Sequence, residues 1–176
     1  HLREDRRHIK EQDVYLLRQT VRTRLNLEMS ISEEIVRIAC RIKPDQATLV
    51  PEKRQELTTE GGLDIIKNFA RVKKTIDKLN NAGIEVSLFI DPDIRQIDAA
   101  KKAGGHIIEL HTGRFADAKT LRLRKKYLKE IRQAAVYAHK KGLIVNAGHG
   151  LDYNNVTDVA RIKNINELNI GYSIIC

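Results

Sequence analysis

"LIVNAGHGLDYN", residues 143–154, begins as an apolar run and breaks into Asn146, Ala147, Gly148, His149 and Gly150 before a polar stretch follows. Glycines allow a sharp turn and leave backbone N–H groups accessible, so this strand delivers a histidine onto an exposed turn at its C-terminal end. The arrangement recurs along the chain. "LNLEM" (25–29) carries Glu28, "QATLV" (46–50) runs into Glu52 and Lys53, and "IEVSLFI" (84–90) runs into Asp91. "HIIEL" (106–110) carries Glu109 and leads to His111, and "ELNI" (167–170) holds Asn169. In an open doubly wound sheet only the strands beside the switch point need such residues. In a closed barrel every strand end meets at one mouth, so every strand can contribute. The recurrence points to a barrel.

The segments between these strands have helical character. Apolar spacing predicts a helix over 9–24, a second over "SISEEIVRIACRIK" (30–43) with Ser30 and Glu33 spaced as a capping box, and a third over 64–81 with Gly83 as its stop. A fourth begins near Pro92 and reaches Lys102, a fifth fills 119–141, and a sixth runs over 154–163. Strand and helix therefore alternate, and the strands read as continuous apolar runs, the pattern of a parallel sheet covered by helices. Six strands lie inside the chain, and "HLRED" at its start reads as the end of a seventh. The expected architecture is an α/β fold, a (β/α)8 TIM barrel forming one domain over 1–176. Such barrels run to roughly 250 residues, so at 176 this one is expected to lack its first strand region and last helix.

Composition narrows the function. The chain is 41% hydrophobic, enough for one core, and no apolar run approaches the roughly 20 residues that cross a bilayer. We expect a soluble, cytoplasmic protein without membrane contact. Cys40 and Cys176 lie far apart without metal-ligand spacing, and Cys40 reads as a small core residue. The formal charge of +9 is concentrated between Lys119 and Lys141, where nine Lys or Arg residues face a single acid, Glu130. Apolar residues at Leu121, Tyr127, Leu128, Ile131, Ala134, Ala135 and Ala138 give that segment one buried stripe, leaving a basic solvated face. Nucleic-acid binding through it is the alternative, although no aromatic or glycine-rich RNA-binding pattern accompanies it.

The strand ends suit small anionic substrates. Free amides after "LIVNA" and the following helix start favour phosphate, and His149 beside them can move a proton near neutral pH. The histidines at 1, 8, 111 and 149 show no HxH or HxxxH spacing, so no metal site is expected.

Taken together, "HLREDRRHI", "NLEM", "LVPEKRQELTTEGGLD", "VSLFID", "IELHTG", "ADAKT", "VNAGHGLDYNNV" and "ELNIG" carry a resemblance to the pyridoxine 5′-phosphate synthase family, in order and over the whole chain. The resemblance implies a (β/α)8 barrel that condenses 3-amino-1-hydroxyacetone 1-phosphate with 1-deoxy-D-xylulose 5-phosphate, giving pyridoxine 5′-phosphate, phosphate and water. It implies a homo-octamer working without metal or organic cofactor. By matched motif, His1 and Glu28 correspond to the general bases, His149 to the general acid and Glu109 to a carboxylate that stabilises a transition state. Arg3, His8, Thr58, Gly150, Gly171 and Tyr172 correspond to substrate- and phosphate-binding positions, with Tyr172 standing where the family usually has His. The segment "PEKRQELTTEGG" is long, charged and ends in two glycines, which fits a loop closing over the site. An inactive truncated relative is the remaining alternative to the synthase.

Overall fold

The computed structural model describes residues 1–58 and 61–175; Thr59 and Glu60 of the expected closing loop, and Cys176, lie outside the described residues. In chain order the elements are α1 (Glu11–Thr20), β1 (Asn26–Met29), α2 (Glu33–Ile42), β2 (Gln46–Leu49), a 3₁₀ turn (Arg54–Glu56), α3 (Phe69–Asn81), β3 (Glu85–Ile90) and α4 (Ile94–Lys102). Then follow β4 (Ile107–His111), α5 (Gly113–Ala116), α6 (Leu121–Lys140), β5 (Ile144–Gly148), α7 (Val156–Ala160), β6 (Leu168–Asn169) and α8 (Tyr172–Ile175).

The strands form one all-parallel sheet in the order β1-β2-β3-β4-β5-β6. Leu2 adds a parallel bridge to Met29 and donates its N–H to the Glu28 carbonyl at 3.1 Å, so "HLRED" does lie beside β1 as a strand end. The sheet curls: His1 and Glu28 at one edge and Asn169 and Gly171 at the other line the same cavity. This is an α/β half-barrel of six strands.

The strands are not apolar on both sides. Register and alternation put Asn26, Glu28, Gln46, Thr48, Ser87, Glu109 and Asn146 on one face, where Thr48 Oγ1 donates to Asn26 Oδ1 at 2.9 Å. The other face carries Leu27, Met29, Leu49, Leu88, Ile90, Ile108, Leu110 and Val145, all buried in one core with the helices. The core therefore sits between sheet and helices, and the concave side holds the polar groups. The runs look continuous in sequence because Phe89 and Ile107 interrupt the polar series.

The helices α2, α3 and α6 each bury a stripe. Ile35, Val36, Ile38 and Ala39 of α2, Val72, Ile76 and Leu79 of α3, and Ile131, Ala134, Ala135 and Ala138 of α6 are buried. Leu121, expected in the α6 stripe, is exposed because it opens the first turn, before the helix lies on the sheet. Cys40 is half-buried against the core.

Several boundaries move. Ser32 rather than Ser30 caps α2, its side chain accepting from Ile35 N at 3.4 Å, because Ser30 is used in the turn and accepts from Ser32 N. α4 begins at Ile94, two residues past Pro92, with Asp93 as its cap. Residues 65–68 are turns rather than helix, held by Asp64, whose carbonyl accepts from Asn68 N and whose carboxylate accepts from Lys67 N and from the Gln96 amide. Gly83 does follow α3 in the left-handed conformation, φ +79°. No helix among the described residues is long and apolar enough to cross a membrane.

Candidate active site

The C-terminal ends of the strands surround a cavity of about 740 Å³ lined by His1, Glu28, Phe89, Glu109, His149, Gly150, Asn169, Gly171 and Tyr172, among others. Seven of the ten candidate residues lie there. The other three do not. Arg3 is paired with Asp5 at 3.1 Å, His8 is exposed on the segment before α1, and Thr58 lines a neighbouring cavity with Asp91.

At one wall, His1 Nε2 lies 3.0 Å from Glu52 Oε1 and His1 Nδ1 lies 3.8 Å from Glu28 Oε2. Glu52 also accepts from Glu4 N at 2.9 Å, which fixes the carboxylate that in turn orients the imidazole. Burial holds the Glu52 carboxyl above its ordinary value. The imidazole is thus flanked by a carboxylate at each ring nitrogen.

At the opposite wall, Glu109 is 3% exposed. Its Oε2 accepts from Asn169 Nδ2 at 2.5 Å, and its Oε1 rests against Gly148, where a Cβ would stand only 2.2 Å from it. Burial is the main cause that pushes this carboxyl up to about 7, with the Glu28 charge adding and the Asn169 hydrogen bond opposing. Both protonation states are then accessible at neutral pH.

His149 follows Gly148 with a φ of +81°, a left-handed conformation uncommon for a side-chain-bearing residue. Gly150 continues the turn at φ +76°, where a Cβ would also meet Ala116 Cβ at 2.8 Å. Burial first, then the neighbouring His111, hold the His149 imidazole below its ordinary value, against the opposing charges of Asp117 and Glu28. Its ring packs at 4.8 Å, centroid to centroid, on His111 and at 6.1 Å on Phe89.

Two residues of this neighbourhood were not read from the sequence. Phe89 faces the cavity because it is two positions beyond Ser87 on the concave side, a signal hidden by treating β3 as one apolar run. Thr112 is fully buried between His111 and Gly113, and its spacing gives no sign of it.

The whole chain, residues 1–176, matches the family model described as pyridoxal phosphate biosynthesis protein PdxJ. The chain belongs to the PdxJ family. It is 58% identical over 175 residues to a pyridoxine 5′-phosphate synthase of Alcanivorax borkumensis, covering 99% of this chain and 72% of that one. It is 58% identical over 174 residues to the synthase of Aliivibrio fischeri, with the same coverage. More distant solved structures share the fold alone: FabK from Thermotoga maritima at 11% identity with a TM-score of 0.60, covering 98% of this chain and 53% of that one, is an example. A xylose isomerase domain protein from Planctomyces limnophilus is another, at 13% identity and a TM-score of 0.51, covering 83% and 62%. Seven of the residues matched by motif thus share one cavity, whose lining runs from Glu28 on β1 at one edge of the sheet to Asn169 on β6 at the other. Among the described residues no group of three or more His, Cys, Asp or Glu side chains is arranged to hold a metal ion.

Proposed function

We propose that this cavity is a pyridoxine 5′-phosphate synthase site, condensing 3-amino-1-hydroxyacetone 1-phosphate with 1-deoxy-D-xylulose 5-phosphate to pyridoxine 5′-phosphate, phosphate and water. The observation that carries the reading is that two separate proton-handling sets, His1 with Glu28, and His149 with Glu109, line the same space, with Glu52 bonded to His1 from outside that lining. Imine formation, phosphate loss, aldol-type attack and dehydration move protons at different atoms, which groups on two walls serve better than one side chain could.

In this reading His1, oriented by Glu52, and Glu28 accept protons from substrate carbon and nitrogen. His149, whose depressed affinity makes it a ready donor once protonated, delivers a proton to a departing oxygen. Glu109 stabilises the charge that develops on the ring-forming intermediate. Gly150 and Gly171 leave backbone N–H groups for phosphate oxygens beside Tyr172, and Arg3, His8 and Thr58 complete substrate binding when the segment over 52–63 closes.

The same proposal completes the half-barrel to an eight-stranded (β/α)8 barrel in one domain. It extends to a cytoplasmic homo-octamer, which sedimentation of the purified protein checks. Nucleic-acid binding is the weaker reading: on α6, Arg124 lies 3.8 Å from Asp158, Lys126 lies 3.8 Å from Glu130 and, just past its end, Lys141 lies 3.1 Å from Asp98, so part of the basic face is already neutralised.

The test supplies both phosphorylated substrates to the protein and to its His149→Ala variant and follows pyridoxine 5′-phosphate. Product from the parent and none from the variant is the expected result; equal rates from both would sink the assignment.

A further inference from the structure

The strained backbone at His149 needs something to hold it. A residue with a side chain at φ +81° is strained and persists only where its surroundings over-determine it. Thr112 does so. Its N–H donates to the Gly148 carbonyl at 2.9 Å, and its hydroxyl lies 2.7 Å from the same oxygen and 2.6 Å from the His149 carbonyl. Those two carbonyls belong to the peptide planes before and after the His149 Cα. A single hydroxyl shared between them therefore restrains both backbone torsions of that residue.

The residue preceding it restrains the ring. His111 packs edge-on against the His149 ring with an interplanar angle of 65°, and Phe89 closes the corner at 5.0 Å from His111. His111 is itself confined. Its Nδ1 lies 3.3 Å from Asp91 Oδ1, an oxygen that also accepts from Gly62 N, while the other Asp91 oxygen accepts from the Thr58 hydroxyl. On its far side a Cβ at Gly113 would stand 2.7 Å from His111 Nε2, so only glycine leaves that ring its place.

We propose that the dipeptide His111-Thr112 at the end of β4 positions the proton-transferring His149, Thr112 through its backbone and His111 through its ring, with Asp91 as the anchor. Thr112 does not line the cavity that holds the reacting groups, and His111 lines the pocket behind His149, so both act through His149. The inference rests on His149 being the proton-transferring residue of the proposed synthase. Beyond His111, the charged groups bearing on that imidazole are Asp117 and Glu28.

Thr112→Val keeps the shape of the side chain and removes the hydroxyl; Thr112→Ser keeps the hydroxyl. His111→Phe keeps a ring and removes the bond to Asp91. The readouts are kcat, KM and the titration of the His149 ring by NMR, its signal assigned by its loss in His149→Ala. Thr112→Val is expected to lower kcat roughly tenfold to a hundredfold with little change in KM and to move the His149 titration, with Thr112→Ser restoring both. His111→Phe should move the titration in the same experiment. A folded Thr112→Val protein with unchanged kcat and an unmoved His149 titration overturns the inference. Should Thr112→Val fail to fold, an unmoved titration in folded His111→Phe together with unchanged kcat overturns it instead. Turnover surviving in His149→Ala would remove the synthase role of His149, and the titration would still report whether Thr112 and His111 position that ring.

Discussion

Glu109 is a carboxyl whose surroundings oppose its charge. It is 3% exposed, and burial moves its carboxyl from an ordinary 4.5 to about 7. A folded value above the unfolded one means that the group contributes stability fully below about pH 4.5 and loses it as pH rises through about 7, where the native state must carry a buried charge. The full span is worth on the order of 3 kcal/mol. Glu109→Gln should therefore flatten this part of the stability profile: urea melts at pH 8 are expected to find the variant more stable than the parent, and melts at pH 4 to find little difference, while product formation collapses. A variant less stable than the parent at pH 8 would show that the buried carboxylate is better solvated than its environment indicates. Gly148 serves the same group by omission. Because a Cβ there would lie 2.2 Å from Glu109 Oε1 and 2.8 Å from the Asn169 carbonyl oxygen, Gly148→Ala should cost about 1–3 kcal/mol and displace the carboxylate, visible as a lower melting temperature together with lost turnover.

At the scale of elements, α6 is seated for the fold, and under the proposed function its outer face takes no part in the chemistry. Thr120 caps it, its side chain accepting from Leu123 N at 3.3 Å, and Ile131, Ala134, Ala135 and Ala138 seat it on the sheet. Thr120→Ala is expected to cost about 1 kcal/mol, a fall of about 2–4 °C in melting temperature, with kcat unchanged. Changing the exposed Arg122, Lys125 and Lys129 to Ala should leave turnover intact, which steady-state assays check; a loss would give the basic face a role in the reaction. The length and periodicity of α6 made it readable from the sequence, as did β1 to β5 and the Gly83 stop. What the sequence concealed has physical causes. β strands with polar residues on a concave face look uniformly apolar when large side chains such as Phe89 and Ile107 share that face. The four-residue α5 is too short to show a period, and its Gly113 reads as a turn residue rather than as part of a helix. The cap of α2 shifted by two residues because serines stand at both 30 and 32, and only packing decides which one ends the turn.

At the scale of the molecule, the site exists because the sheet curls. His1 and Tyr172 stand near opposite ends of the chain, yet both line one cavity, and a flat sheet of the same six strands would hold Glu28 and Asn169 at opposite edges. Polar residues at successive strand ends, Glu52 among them, were legible because parallel strands must all end on one side; the pairings that make them work, Glu52 with His1 and Thr112 with His149, were not, because nothing local marks them. The curl also separates anchoring from chemistry. Gly150, Gly171 and Tyr172 border the cavity through backbone and an exposed ring, whereas under the proposed function His149 and Glu109 supply the proton-handling groups. Binding and turnover should therefore come apart. A ligand at a hundred times its dissociation constant stabilises a folded protein by about 2.7 kcal/mol. Melting the parent and His149→Ala with saturating 1-deoxy-D-xylulose 5-phosphate should give similar upward shifts in the two proteins, while only the parent forms product. A shift that disappears in His149→Ala would mean that this imidazole holds substrate as well as moving its proton, and would make the loop at 148–150 part of the phosphate anchor rather than its neighbour.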